Sequence, residues 1–123
     1  MISEEHITVG IYARQRLIAD EELHSIVGEK IFPSIAKDDT DGTFIVYERD
    51  SYNVETTKMG IYLEEAQIGY EVVSDDYDTG VQVALAICRV LQGKHGGFKF
   101  ELILAREFYE ENKFRQILVF KIT

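Results

Sequence analysis

Four stretches of this chain alternate apolar and other residues with period two. No other feature limits its fold as strongly. Thr43 to Arg49 (TFIVYER) is rich in β-branched and aromatic residues. Gly60 to Ser74 carries Ala66, Ile68, Tyr70 and Val72 at alternate positions. Phe98, Phe100, Leu102 and Leu104 follow the Gly96-Gly97 pair, and Leu118, Phe120 and Ile122 close the chain. Side chains of a strand point to opposite faces in turn, so this pattern predicts half-buried strands. Between the second and third stretches the period changes. Val81, Ala84, Leu85, Cys88 and Leu91 recur at helical spacing over residues 78–92. Asp75, Asp76, Asp78 and Thr79 supply a cap and favourable charge at the start, and Gly93 can stop the helix.

The N-terminal third reads as helical. Ser3 is a plausible N-cap for a helix over 3–19, with Glu4 and Glu5 in its first turn and Ile7, Ile11 and Ile18 near one face. A shorter helix follows at 20–27, capped by Asp20 and ended by Gly28, with Leu23, Ile26 and Val27 as its apolar edge. Lys30-Ile31-Phe32-Pro33 is a short extended stretch. Its proline cannot donate to a ladder and so belongs at an edge or strand end. Residues 37–42 form a loop. The polar segments 50–60 and 105–115 suit hairpin tips. Hairpins imply antiparallel pairing. The expected fold is therefore α+β, a two-layer sandwich with an antiparallel sheet of about four strands and two main helices on one face. At 123 residues, without repeats or linkers, the chain is expected to form a single domain over 1–123.

Composition narrows the function classes. Thirteen basic and 22 acidic residues give a formal charge of −9. Such a chain repels nucleic acid and anionic membranes unless its cations cluster, and they are scattered. A lone cysteine excludes an intramolecular disulfide and a four-cysteine zinc site. No run of about 18 apolar residues predicts a membrane span, and the N-terminus does not read as a signal peptide.

Catalytic constellations are missing as well. His6, His24 and His95 fall in different elements and form none of the paired metal-ligand spacings. Cys88 lies on an apolar helix stripe and reads as a small core hydrophobe. The Asp38–Gly42 acidic loop fails the calcium-loop pattern, with its glycine at the wrong position. Gly93-Lys94-His95-Gly96-Gly97 precedes a strand and lacks phosphate-loop spacing, so it reads as a turn. The expectation is no enzyme, no catalytic residue, no metal and no cofactor.

A two-layer sandwich leaves one sheet face uncovered, and here that face does not read as polar. Ile45 and Tyr47 lie opposite Phe44 and Val46, Ile103 and Ala105 opposite Leu102 and Leu104, and Ile117 and Val119 opposite Leu118 and Phe120. Either this is an apolar, tyrosine-bearing interaction surface, or the sheet curls or the first helix covers it.

These segments resemble the small tail-completion proteins of long-tailed phages and prophages, also described as tail-to-head joining or tail-terminator proteins. The similarity runs from about Ile11 to Ile122. It is carried by Ala19-Asp20 and Leu23, by Val27-Gly28-Glu29-Lys30-Ile31-Phe32-Pro33, and by Phe44-Ile45-Val46-Tyr47-Glu48-Arg49. Glu71-Val72-Val73-Ser74-Asp75-Asp76-Tyr77-Asp78, then Phe108-Tyr109-Glu110 and the last strand, complete it. Thr43 stands where that family is expected to have proline. The resemblance implies an α+β subunit that assembles, commonly as a hexameric ring, at the head-proximal end of the tail tube. There it stops tube growth and joins the tail to the head connector. Its partners would be copies of itself, the tail tube and head-connector proteins. Its location would be the cytoplasm during assembly and then the virion. Neither specific nucleic-acid binding nor membrane contact is implied, although DNA would pass through the ring. Candidate subunit-interface residues are Tyr47, Tyr52, Tyr62 and Ile103. Candidate channel-facing residues are Glu55, Glu110 and Glu111, since a negative lumen repels phosphate. The alternative readings are a cellular adaptor domain that dimerises through its sheet and, further off, a small acidic hydrolase.

Overall fold

A computed structural model describes residues 4–36, 40–56, 60 and 62–123, apart from the side chains of Glu4, Thr56, Tyr62 and Leu63. The Ser3 cap and residues 37–39 of the acidic loop lie outside the described residues. In chain order the elements are α1 (Glu4–Ile7), α2 (Val9–Ala19), α3 (Glu21–Val27), β1 (Ile31–Pro33), β2 (Phe44–Thr56), β3 (Tyr62–Ser74), α4 (Tyr77–Leu91), β4 (Gly93–His95), β5 (Phe98–Glu110) and β6 (Lys113–Ile122). The strands form one curled sheet in the order β1-β2-β3-β6-β5-β4.

The α+β class stands, but the sheet has six strands among the described residues instead of about four. The two additions are three-residue strands. β1 is the proline-ended stretch, paired parallel to β2 at Ile31–Pro33 with Ile45–Tyr47. β4 occupies part of the segment read as a turn and pairs with Phe98–Phe100. Strands this short carry too few positions to show a period. The expected helix over 3–19 is broken at Thr8, whose ψ of 4° departs from helical geometry.

The helices cover one sheet face. Tyr70, Ile68, Val72 and Ala66 of β3 and Leu118, Phe120 and Ile122 of β6 are buried against Val9, Ala13, Leu17, Leu23, Val27, Val83, Ile87 and Leu91. Tyr70 meets Phe120 edge-on at 5.9 Å, a favoured aromatic geometry. α2 buries Val9, Ala13 and Leu17, while the expected Ile7 and Ile11 are exposed. α4 likewise buries Val83, Ala86, Ile87 and Val90. Of the predicted stripe, Leu85 is 66% exposed, and Val81 and Cys88 are half-buried. Ala84 and Leu91 of that stripe are buried as expected; the apolar arc of α4 is wider than one stripe, so spacing alone found part of its core face and part of its flank.

Caps follow the sequence. Asp20 accepts from the Leu23 N–H at 3.1 Å, and Gly28 ends α3 at φ 60°. Asp76 accepts from the Thr79 N–H at 2.9 Å. Asp75, grouped with it, instead pairs with Lys113.

Both hairpins exist but are tighter than read. β2 continues to Thr56, which leaves the expected 50–60 tip mostly strand. The expected 105–115 tip shrinks to Glu111-Asn112, with φ of 54° and 61°. Paired positive φ values are those of a type I′ turn, which suits strand twist. Phe108, Tyr109 and Phe114 flank it, and Tyr109 packs on Phe114 at 4.9 Å.

If the core is centred on β6, truncating Phe120 to alanine will cost about 3–5 kcal/mol in urea unfolding, whereas truncating exposed Leu85 will stay within about 0.5 kcal/mol. Equal costs would contradict the assigned helix face.

Candidate assembly surfaces

Backbone register decides which side chains reach the uncovered face. Ile45 pairs with Val72 and Tyr47 with Tyr70, so both belong to the helix side. Phe44 and Val46 face outward, the reverse of the sequence reading for this strand. β6 follows the reading, with Ile117 and Val119 outward, paired with Glu71 and Gly69 of β3. In β5 the register slips between Leu102 and Leu104. This bulge moves Leu104 to the outer face, beside Val119, while Leu102 stays level with Phe120 on the helix side. A bulge adds one residue to one strand and shifts the alternation beyond it, a break that period-two counting does not show.

The outer face is a shallow trough of about 380 Å³, lined in part by Val46, Glu48, Gly69, Leu104, Ile117 and Val119. Gly69 forms its floor. A β-carbon there would lie 3.2 Å from the Asp50 carboxylate, so the side chain at the β2 irregularity can fold over the neighbouring strand. Arg115 bonds Glu71 at 3.1 Å, and Arg106 lies 5.7 Å from the Phe108 ring centre. The face is therefore apolar at its centre and charged around it.

The predicted interface residues do not gather in one patch. Tyr47 is half-buried and stacks near Tyr70 at 5.9 Å. Tyr52 is also half-buried against the core, with its hydroxyl donating to Glu64 at 3.2 Å. The Tyr62 side chain lies outside the described residues. Ile103 stands at the β5 bulge and is 48% exposed. Sequence reasoning missed its neighbours. Leu102, Leu104 and Tyr109 are exposed at 37%, 48% and 58%, so one strand edge carries four large apolar side chains. The signal was the Leu-Ile-Leu run itself, which two-face alternation cannot hide completely.

The predicted channel residues are exposed but separated. Glu55 lies near the β2–β3 tip, whereas Glu110 and Glu111 lie at the β5–β6 turn. The register places these at opposite ends of the sheet, about eleven residues or roughly 35 Å apart along the strands.

On the helix side a cleft of about 490 Å³ lies between α2, α4 and β4, lined by Tyr12, Arg16, Asp20, Arg89 and His95 among others. Its charges are mostly matched. Arg89 bonds Asp20 at 2.8 Å and Glu22 at 3.2 Å. The Arg89 hydrogen bond holds the Asp20 carboxyl below its ordinary value. The Thr79 hydroxyl and N–H do the same for Asp76, and Gln116 then Tyr77 do so for Glu107. Burial pushes the Cys88 thiol up, which disfavours the reactive thiolate. His6 is paired with Glu64 at 3.0 Å. Among the described residues no three His, Cys, Asp or Glu side chains could jointly hold a metal ion. No described helix is long and apolar enough to cross a membrane.

A chain of a solved structure described as "Virion of native gene transfer agent (GTA) particle" superposes on this one with a TM-score of 0.72. The overlap covers 89% of each chain at 21% sequence identity. The two share a fold. No family model matches the chain, and neither does any curated protein sequence.

Because Asp20, Asp76 and Glu107 titrate below their unfolded values, their stabilisation is complete only above about pH 5.5 and is lost as pH falls through the folded values. The thermal midpoint should fall as pH drops from about 5 to 3, and D20N should flatten that fall. An unchanged slope in D20N would contradict the role given to Arg89.

Proposed function

We propose that this chain is a structural virion protein of the tail-completion type, which forms a ring at the head-proximal end of a tail tube and joins it to the head connector. The observation that carries this reading is the edge of β5, with exposed Leu102, Ile103, Leu104 and Tyr109 beside a sheet left open on one face. Monomers rarely leave apolar strand edges bare, because such edges recruit other chains. The shared fold with a chain of a gene transfer agent virion supports the same reading, as does the sequence resemblance to tail-completion proteins.

No reaction is assigned to the chain. The Asp20 carboxylate in the helix-side cleft is engaged by Arg89, and the chain's one cysteine, Cys88, is half-buried with its thiol pushed up by burial. These features suit a part that works by fitting against neighbours. The negative charge of −9 suits a ring through which DNA passes without adhering, since few counterions would be released by contact. Glu55, Glu110 and Glu111 are the residues assigned to the bore. Their separation along the sheet spreads that charge over the height of the ring.

An epitope-tagged chain expressed in a producing culture should co-purify with tails, and gold-labelled antibody should mark one end of each tube. Label along the whole tube, or tagged protein recovered only free of particles, would overturn the reading.

A further inference from the structure

β2 and β5 lie on opposite sides of one sheet, and each is open along part of its outer edge. β4 covers β5 only at Phe98–Phe100, and the Gln92 side chain extends that cover to the Leu102 N–H at 3.0 Å. β1 covers β2 only at Ile45–Tyr47. Among the described residues, 103–110 of β5 and 48–56 of β2 therefore have no strand on their outer side.

We propose that these two edges pair with each other between copies of the chain, so that the sheet continues from one subunit into the next. This deepens the ring reading and rests on it. Strand direction permits the pairing. β2, β3, β6 and β5 are antiparallel in succession, so β5 of one copy meets β2 of the next antiparallel when both copies face the same way. The two edges are different surfaces, and contact between different surfaces propagates head to tail, closing into a ring when the rotation allows.

The ends of the two stretches also match. In the antiparallel alignment that keeps each face continuous, the Ile103-Leu104 end of β5 meets exposed Val54 and Asn53, and Glu107 meets Arg49 on the helix side. A symmetric β5–β5 pair centred on the same stretch would instead set Arg106 against its own copy, and like charges directly opposite are unfavourable.

The open stretches are not level. Leu104 lies across from Val119, Gly69 and then Glu48, so the open part of β5 is level with the covered start of β2. Joining the edges with faces matched requires an even slip, about four residues or roughly 13 Å, for every four strands, roughly 19 Å of sheet width. That ratio inclines the strands by roughly 35° to the ring axis, at the lower end of the ~35–45° tilt of closed sheets. The offset of the two short covering strands is thus compatible with closure.

Hydrogen exchange of the full-length chain tests the pairing, comparing the dilute monomer with the species formed near 1 mM. Amides of 103–108 and 48–54 that point to the open edges should slow together by at least about tenfold on association, and I103K should abolish association while leaving the monomer folded. I11K, on the exposed flank of α2, should associate normally. Association with both edges exchanging as in the monomer would overturn the edge pairing and leave the ring reading standing. A wild-type chain that stays monomeric near 1 mM would overturn both.

Discussion

Among the described residues the curled sheet is sealed on one face only and closed by a strand at neither edge, which leaves apolar side chains and ladder positions open to another chain. Three helices with buried contacts suffice to cover the Tyr70–Phe120 side of this sheet. The two three-residue strands at its margins cover only part of each outer edge. Unpaired ladder groups beside apolar side chains invite another strand. The rest of the surface is organised around that constraint. Charges near the helix caps are paired internally, as in the Arg89 contacts to Asp20 and Glu22. Five of the ten large apolar side chains exposed among the described residues (Leu102, Ile103, Leu104, Tyr109 and Val54) lie on these two edge strands. A monomeric adaptor would be expected to blunt such an edge with lysines or proline, and β5 carries neither beyond Lys99.

Much of the fold was legible in the sequence because single residues with strong local chemistry announce it. Asp20, Gly28 and Asp76 mark helix boundaries through hydrogen bonds that depend on their own side chains or backbone freedom. The β3 and β6 alternations were readable because both strands are central and regular. Less was legible where a face had to be chosen between two apolar options. In β2, Phe44 and Val46 are as hydrophobic as Ile45 and Tyr47, so only the partner strand decides which pair turns inward. In α4, Leu85 looks like core by spacing, yet the small Ala86 and Gly80 sit closer to the sheet. The bulge after Leu102 broke the period at the point that matters most for assembly. Of the candidate interface residues only Ile103 stands on that edge, and its neighbours Leu102 and Leu104 came from the register rather than from spacing.

The acidity has a consistent physical role in this account. Lys and Arg that face the sheet or the caps are engaged, as with Arg115 on Glu71 and Lys113 on Asp75. The surplus of carboxylates remains on exposed ends such as Glu55 and Glu111. In the proposed assembly such a subunit would repel free nucleic acid at long range, while short-range edge pairing and apolar burial would draw copies together. The two forces act over different distances, because screening confines the charge repulsion to about 10 Å at ordinary salt.

Sedimentation velocity of the purified chain across a wide concentration range addresses self-assembly most directly. The account predicts one closed species of fixed size, a whole-number multiple of 14.1 kDa, that gains population but not mass as concentration rises. A boundary that stays at the single-chain mass throughout, or that grows without limit, would contradict it.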